Sequence, residues 1–456
     1  MKTINLWILM FSLQACKAEA APEPVKVLKV PQGVQYLENS RVKLGIDLSI
    51  GGAVTYLSDR DNGGKNMINS ADWGRQIQLS YYSGPAPFIG PKGEQPSEAW
   101  AGLGWNPIQS GDYGGNRSKV LEFEYRGDNA MFVRCQPMQW PHTAGISGDC
   151  EFECLYTLTG NVFTLEATIV NKRPDKTQYS ARHQEMPALY TNGPWYKLVT
   201  YLGDQPFSNR PVTTLVDKND GKGWPWLFFY SPEQWVALLD DNGKGIGVFQ
   251  PDAMLFDAGF HGGDALKGTG DEKSGQTGYI APVTSQILDH NIRWTYTTAF
   301  VLGTVDDIRN YAKSHRQTNL CPEWVFRDSR LGWYYEGNAH DTGWPLPGML
   351  DFAFSKNAVL TRSEIFWKAE DAPVLEIEGA FATADKQLTL IVELRPTDEK
   401  KNSFSISQPV NADGVNRTSL INLSVLPDYN GAIKGIKLKF SDEGSAKIKR
   451  IKFRSL

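Results

Sequence analysis

The sequence lacks any long apolar run beyond its first residues. After residue 20 no stretch approaches the ~20 apolar residues of a spanning helix. It also lacks a charge excess. Lys+Arg is 47 against Asp+Glu 51, a net charge of −4, so nucleic acid has no electrostatic support as a partner. There is no P-loop, no dinucleotide fingerprint, no H-E-x-x-H, and no G-x-S-x-G in a strand–turn–helix setting. Nucleotide, nicotinamide, esterase and zinc-protease chemistries lose their signatures. Cysteines number five, and no histidine or second cysteine pair stands at zinc-like spacing, so no metal site and no cofactor are expected. Structural calcium stays open, because no ligand set is readable.

What is present is length, glycine and aromatic surface. The 456 residues exceed one ordinary domain. With 43 Gly, 14 Trp, 18 Tyr and 21 Phe, the composition suits strands joined by tight turns. Trp and Tyr rings also stack on pyranose C–H faces, although any single Trp is more often core.

Residues 1–20 read as an export signal and tether. Lys2 precedes the apolar run Leu6–Leu13, which is too short to span a bilayer. Leu13-Gln14-Ala15-Cys16 resembles a bacterial lipobox, with Cys16 as the lipidated residue. Ala18-Glu19-Ala20 is the competing cleavage site. The expected address is outside the cytoplasm: lipid-anchored at a bacterial outer membrane or periplasmic face, otherwise periplasmic or secreted. Membrane contact is expected only through the lipid, and the chain is expected to be a monomer. Export permits disulfides. Cys150 and Cys154 share a strand face but sit too far apart to bond each other; Cys135 with either is open.

From residue 26 to 316 the chain reads as strands and turns. Val162–Ile169 and Leu121–Tyr125 alternate apolar and polar. Trp226–Tyr230, Trp235–Leu239 and Ile246–Phe249 are further strands, the last two joined through Asp241-Asn242-Gly243. Arg293–Leu302 sets Trp294, Tyr296, Thr298 and Phe300 on one face. A helix follows, capped by Thr304, with Ile308, Tyr311, Ala312 and His315 inward. Residues 322–456 form a second β unit, with strands at Val374–Phe381, Leu388–Leu394, Ile433–Phe440 and Ile448–Phe453.

Two resemblances follow. Gly45-Ile46-Asp47-Leu48-Ser49-Ile50-Gly51-Gly52-Ala53-Val54, then Asn69-Ser70-Ala71-Asp72-Trp73-Gly74-Arg75, resembles the opening of the galactose mutarotase-like supersandwich. Tyr429–Leu438 and Ile448–Phe453 are similar to the last strands of a carbohydrate-binding jelly roll. The resemblances imply an all-β chain, a supersandwich followed by a jelly-roll β-sandwich, in an exported carbohydrate-active protein. A fold of this kind does not name a reaction.

The chemistry-bearing stretch is Arg182-His183-Gln184-Glu185-Met186-Pro187. Pro187 ends the strand, and His183 and Glu185 share a face with Arg182 and Gln184 on the other. An imidazole beside a carboxylate is the minimum for moving a proton. His261, in the Gly-rich stretch Phe256–Asp264, and Tyr279 are the other catalytic candidates. Arg75, Arg182, Gln184, Asp257 and Trp105 are the substrate-binding candidates, Arg75 as a partner for a uronate or sulfate. An Arg75–Asp72 salt bridge is the plain alternative for that residue. Asp112 reads as a turn residue, and His340-Asp341 as loop.

The expected partner is an acidic polysaccharide or oligosaccharide. β-Elimination needs a neutralised uronate carboxylate and a group to take the C5 proton. Hydrolysis needs two carboxyl groups, for which Glu185 and Asp257 are the pair. Glycan binding without catalysis is the third reading.

Overall fold

A computed structural model describes residues 30–215, 226–262, 268–316, 321–398, 400–427 and 429–455. Cys16 and the rest of the signal region lie outside the described residues, as do Gly263 and Asp264 of the second candidate loop. The chain is all-β, with antiparallel sheets throughout. Among the described residues, no helix is long and apolar enough to cross a membrane.

The frame is a nine-stranded sheet. Its order runs Thr213–Leu215, Lys197–Thr200, Trp235–Leu239, Lys244–Phe249, Arg293–Thr304, Val162–Asn171, Cys150–Thr159, Ala130–Gln136, Lys119–Tyr125. Alternation gives it two unlike faces. Phe152, Tyr156, Phe163, Leu165, Phe300 and Leu302 point into the main core. On the other face, Trp235, Ala237, Phe249 and Val301 are covered by the helix Val305–His315 through Ile308 and Ala312. Thr304 and Asp307 form a capping box at its start. His315 does not join the inner face: it is exposed and stacks on Tyr311. Arg309 fixes the helix further, its Nη2 and Nε lying 2.6 and 2.8 Å from the buried Glu233 carboxylate.

Across the core lies a five-stranded sheet. Arg182–Glu185 and Leu189–Asn192 both pair with Thr277–Gln286, which pairs with Leu255–His261, which pairs with Trp226–Tyr230. The strand Arg182–Glu185 ends before Pro187, as expected, and a separate strand, Leu189–Asn192, follows along the same neighbour. Met186, Leu189, Phe256, Ala258 and Ile280 face the main core. The opposite face forms a separate cluster around Trp226, Leu255, Tyr279, Ala281 and Val283.

A three-stranded sheet, Val34–Glu38, Val42–Asp47 and Ala53–Asp59, closes one side. Gly51 at its turn has φ +69, and a Cβ there would lie 2.1 Å from the Gln109 carbonyl oxygen, so only glycine fits. The segment after it is bridged to the five-stranded sheet, Ile68 to Thr191 and Gln78 to Ala188.

The C-terminal residues form a ten-stranded antiparallel sheet with a separate hydrophobic core, which Ile287 joins. The two strands expected at Val374–Phe381 and Leu388–Leu394 are one strand, Val374–Pro396. Its first half pairs with Arg417–Asn422 and Gly444–Arg454, its second with Phe404–Asp413 and Ala432–Phe440. The register with Phe404–Asp413 breaks between Ala382 and Gln387, where the long strand changes partners.

Among the described residues, Cys135, Cys150, Cys154 and Cys321 form no disulfide. Cys135 lies opposite Phe152, which leaves Cys150 and Cys154 at diagonal positions, about 7–8 Å away and outside disulfide reach.

Candidate active site

The outer face of the five-stranded sheet gathers the chemistry. On the central strand Tyr279, Ala281, Val283 and Ser285 share that face. Tyr190, Glu185 and His183 stand opposite Tyr279, Val283 and Ser285 on one side. Gly259, Asp257 and Leu255 stand opposite Tyr279, Ala281 and Val283 on the other. Beyond them Trp226, Phe228 and Tyr230 face Gly259, Asp257 and Leu255. Gly259 offers no side chain, so the Trp226 and Tyr279 rings meet across it with centroids 4.9 Å apart. Tyr190 packs against Tyr279 at the same separation, 4.9 Å.

The sheet is curled. His183 and Phe228 lie three strands and four rows apart, about 20 Å on a flat sheet, yet their ring centroids are 5.5 Å apart. The face is therefore concave between those residues.

Two carboxyl groups sit in this hollow. The Tyr279 hydroxyl donates to Glu185 Oε1 at 2.8 Å, and the Tyr82 and Ser80 hydroxyls also hydrogen-bond the carboxylate. Burial pushes Glu185 upward, and those hydroxyls pull part of the shift back. Asp257 is 8% exposed, and its Oδ1 has no hydrogen-bond partner. Burial, with the charge of Glu185 added, pushes it up to about 7. Tyr279, Tyr82 and Tyr190 are pushed above the ordinary phenol range, chiefly by burial and then by Glu185, so all three stay protonated at neutral pH. The result is a carboxylic acid that titrates near neutrality, a carboxylate hydrogen-bonded by hydroxyls, and aromatic walls.

The sequence candidates divide. Glu185, Tyr279 and Asp257 come together, and His183 stands at one end of the same face, half exposed. His261 shares the face but lies at the other end, beside Trp226 with centroids 6.4 Å apart. Their partners on the central strand, Ser285 and Thr277, are eight residues apart, about 27 Å, so the two imidazoles do not converge. Arg75 makes the ion pair with Asp72, Nη1 to Oδ2 3.1 Å, while its charge still reaches the Tyr190 hydroxyl.

Arg182 and Gln184 point away, as alternation requires. Arg182 Nη1 donates to the Leu103 carbonyl at 2.7 Å, and Gln184 bonds both backbone groups of Tyr82. Both brace the neighbouring loop instead of lining the hollow. Trp105 is fully buried in the main core and walls no groove. Asp112 accepts from the Asn116 and Gly145 backbone amides, a turn residue. Asp341 is no idle loop residue: it pairs with the buried Arg330.

Sequence reasoning missed Tyr190, Trp226 and Phe228, for which the alternation of Trp226, Phe228 and Tyr230 was a usable signal. Among the described residues, no three His, Cys, Asp or Glu side chains group as a metal site.

No family model matches the chain, and no curated protein sequence matches it. In structure it is similar to a galactose mutarotase-like protein from Lactobacillus casei, 13% identical, covering 59% of this chain and 100% of that one, with a TM-score of 0.36. A galactose mutarotase related enzyme from Lactobacillus acidophilus is 13% identical over 59% of this chain and 97% of that one, TM-score 0.36. A polysaccharide lyase is 11% identical over 89% of this chain and 46% of that one, TM-score 0.34. At such identities and TM-scores the likeness says nothing of activity or substrate.

Proposed function

We propose that the chain is a carbohydrate-active enzyme that cleaves a uronic-acid-containing glycan by β-elimination at the hollow of the five-stranded sheet. The observation that carries this reading is the Glu185–Asp257 pair, two buried carboxyl groups, both pushed upward, under aromatic walls. Asp257, protonated near neutrality, donates to the uronate carboxylate and offsets the charge that develops when the C5 proton leaves. Glu185, a strengthened base, takes that proton. The Tyr279 hydroxyl, hydrogen-bonded to Glu185, gives its proton to the departing C4 oxygen as the C4–O bond breaks, and takes back the proton that Glu185 removed from C5, so both groups return to their starting forms. Trp226 and Tyr190 offer faces for the sugar rings.

Hydrolysis is the second reading, favoured by the electrostatic coupling of the same two carboxyl groups. Incubation with polygalacturonate and alginate separates the two. Elimination leaves a C4–C5 double bond that absorbs at the far-ultraviolet edge; hydrolysis gives reducing ends without absorbance. Glu185→Gln is expected to lower turnover at least 100-fold in a protein that still folds. Full activity in that variant removes the face from the reaction. Neither signal from any acidic glycan leaves the binding reading. Lipid attachment at Cys16 belongs to the same proposal, and labelling with a palmitate analogue tests it.

A further inference from the structure

The C-terminal sandwich touches the hollow at one end. Its strand Val359–Lys368 pairs with Ala432–Phe440, and the register breaks between Ser363 and Trp367. Glu364 sits in this bulge with φ +58, a left-handed conformation that a glutamate rarely adopts. The bulge aims its side chain out of its own sheet and at the other half of the molecule. Glu364 is 4% exposed. Its Oε1 accepts from the Ser285 hydroxyl at 3.1 Å and lies 3.9 Å from His183 Nε2. Ser285 and His183 are register partners in the five-stranded sheet, so one oxygen from the C-terminal half meets both. Phe228 packs on the same imidazole.

A purely internal role for Glu364 would be to balance Arg362. That contact, 3.8 Å to the other oxygen Oε2, is longer than the Ser285 hydrogen bond at 3.1 Å and about equal to the His183 separation at 3.9 Å. Arg362 Nη1 is engaged by the Ser363 carbonyl. The hydrogen bond that Glu364 accepts crosses between the halves.

We propose that Glu364 is a positioning residue: the C-terminal sandwich supplies the carboxylate that holds His183 at the edge of the Glu185–Asp257 hollow. The site is then complete only when the two halves dock, and the bulge is the device that delivers the missing group. The catalytic part of this inference rests on the reading of the hollow as the site of glycan cleavage; the structural part does not.

The test uses the full chain. With six histidines in the sequence, histidine-selective labelling gives a short spectrum, and His183→Asn assigns the resonance. In the native protein the His183 ring protons carry the ring-current displacement of Phe228, which Phe228→Leu removes. Glu364→Gln is expected to move those protons toward their Phe228→Leu positions at unchanged pH. Ser285→Ala, which removes the hydroxyl that orients the carboxylate, is expected to do the same in part and serves if Glu364→Gln does not fold. On whichever of polygalacturonate or alginate is turned over, Glu364→Gln is expected to raise KM about tenfold with kcat changed less than about twofold, because His183 stands at the rim as a contact for the sugar chain and moves no proton in the reaction. Unmoved His183 resonances in both variants overturn the proposal. Moved resonances in a protein inactive on every acidic glycan uphold the positioning and overturn the cleavage reading instead.

Discussion

Two clusters in this molecule each set a pair of carboxyl groups into the interior, and they treat the charge in opposite ways. At the seam between the halves, Asp289 and Asp341 share Arg330, whose guanidinium nitrogens lie 2.5 and 2.6 Å from them. Tyr335 and Gln178 complete the hydrogen bonds of Asp341. Burial raises Asp341, yet the Arg330 hydrogen bonds and charge outweigh it, and the carboxyl is held below its ordinary value. In the hollow no guanidinium stands between Glu185 and Asp257, and both carboxyls are pushed up. A cluster with its charges matched holds the molecule together. A cluster with its charges unmatched stores proton affinity, which chemistry can use.

The largest expected effect breaks the first cluster. Arg330→Met leaves two buried carboxylates without their cation and is expected to cost about 3–5 kcal/mol of stability in urea unfolding. Asp257→Asn removes an unmatched charge from the hollow and is expected to cost less than about 1 kcal/mol near neutral pH, or to stabilise. Equal losses in the two variants would erase the distinction between seam and hollow.

The pH dependence sharpens it. Asp257 has its folded value raised to about 7, against about 4 for an unfolded aspartate. The folded state therefore holds a proton that the unfolded state has released, and stability falls as pH rises from about 4 to about 7, by a few kcal/mol. Asp341 has the opposite sign: its contribution is present above about pH 4 and is lost as pH falls through its lowered folded value. Urea midpoints measured from about pH 4 to about pH 8 should slope downward in the native protein, and Asp257→Asn should flatten that limb. An unchanged slope in the variant would mean that Asp257 does not carry the proton.

How much of this was legible follows from the range of each interaction. Alternation is local, so the strands around Val162, Trp235 and Arg293 were readable, as was the sharing of one face by His183 and Glu185. The same rule sends Arg182 and Gln184 to the far side, where backbone carbonyls claim them. Register is not local. Nothing in the sequence told that Cys135 would face Phe152 instead of another cysteine, or that His261 would lie eight residues along the central strand from His183's row. Contacts between the halves were the least legible: Arg330 with Asp289, and Glu364 with Ser285, join residues whose own neighbours give no hint of the partner.

The smallest expected effect concerns Arg75, which stands between the two kinds of cluster. Its partner Asp72 is 41% exposed and its own side chain 35%, so the pair is screened by water and holds little stability. If it is a seam in miniature, Arg75→Ala costs up to about 1 kcal/mol and nothing else. If it serves the hollow, its charge, already felt at the Tyr190 hydroxyl, lends itself to an incoming uronate. Then Arg75→Ala raises KM for polygalacturonate about fivefold with kcat nearly constant, the mark of binding lost equally from ground and transition states. Asp72→Asn frees the guanidinium and should lower KM under the second description while leaving it unchanged under the first. The expected result is the opposite movement of KM in the two variants, with unfolding midpoints close to native in both. Movement of both in the same direction, with a loss of stability, would assign the pair to the scaffold.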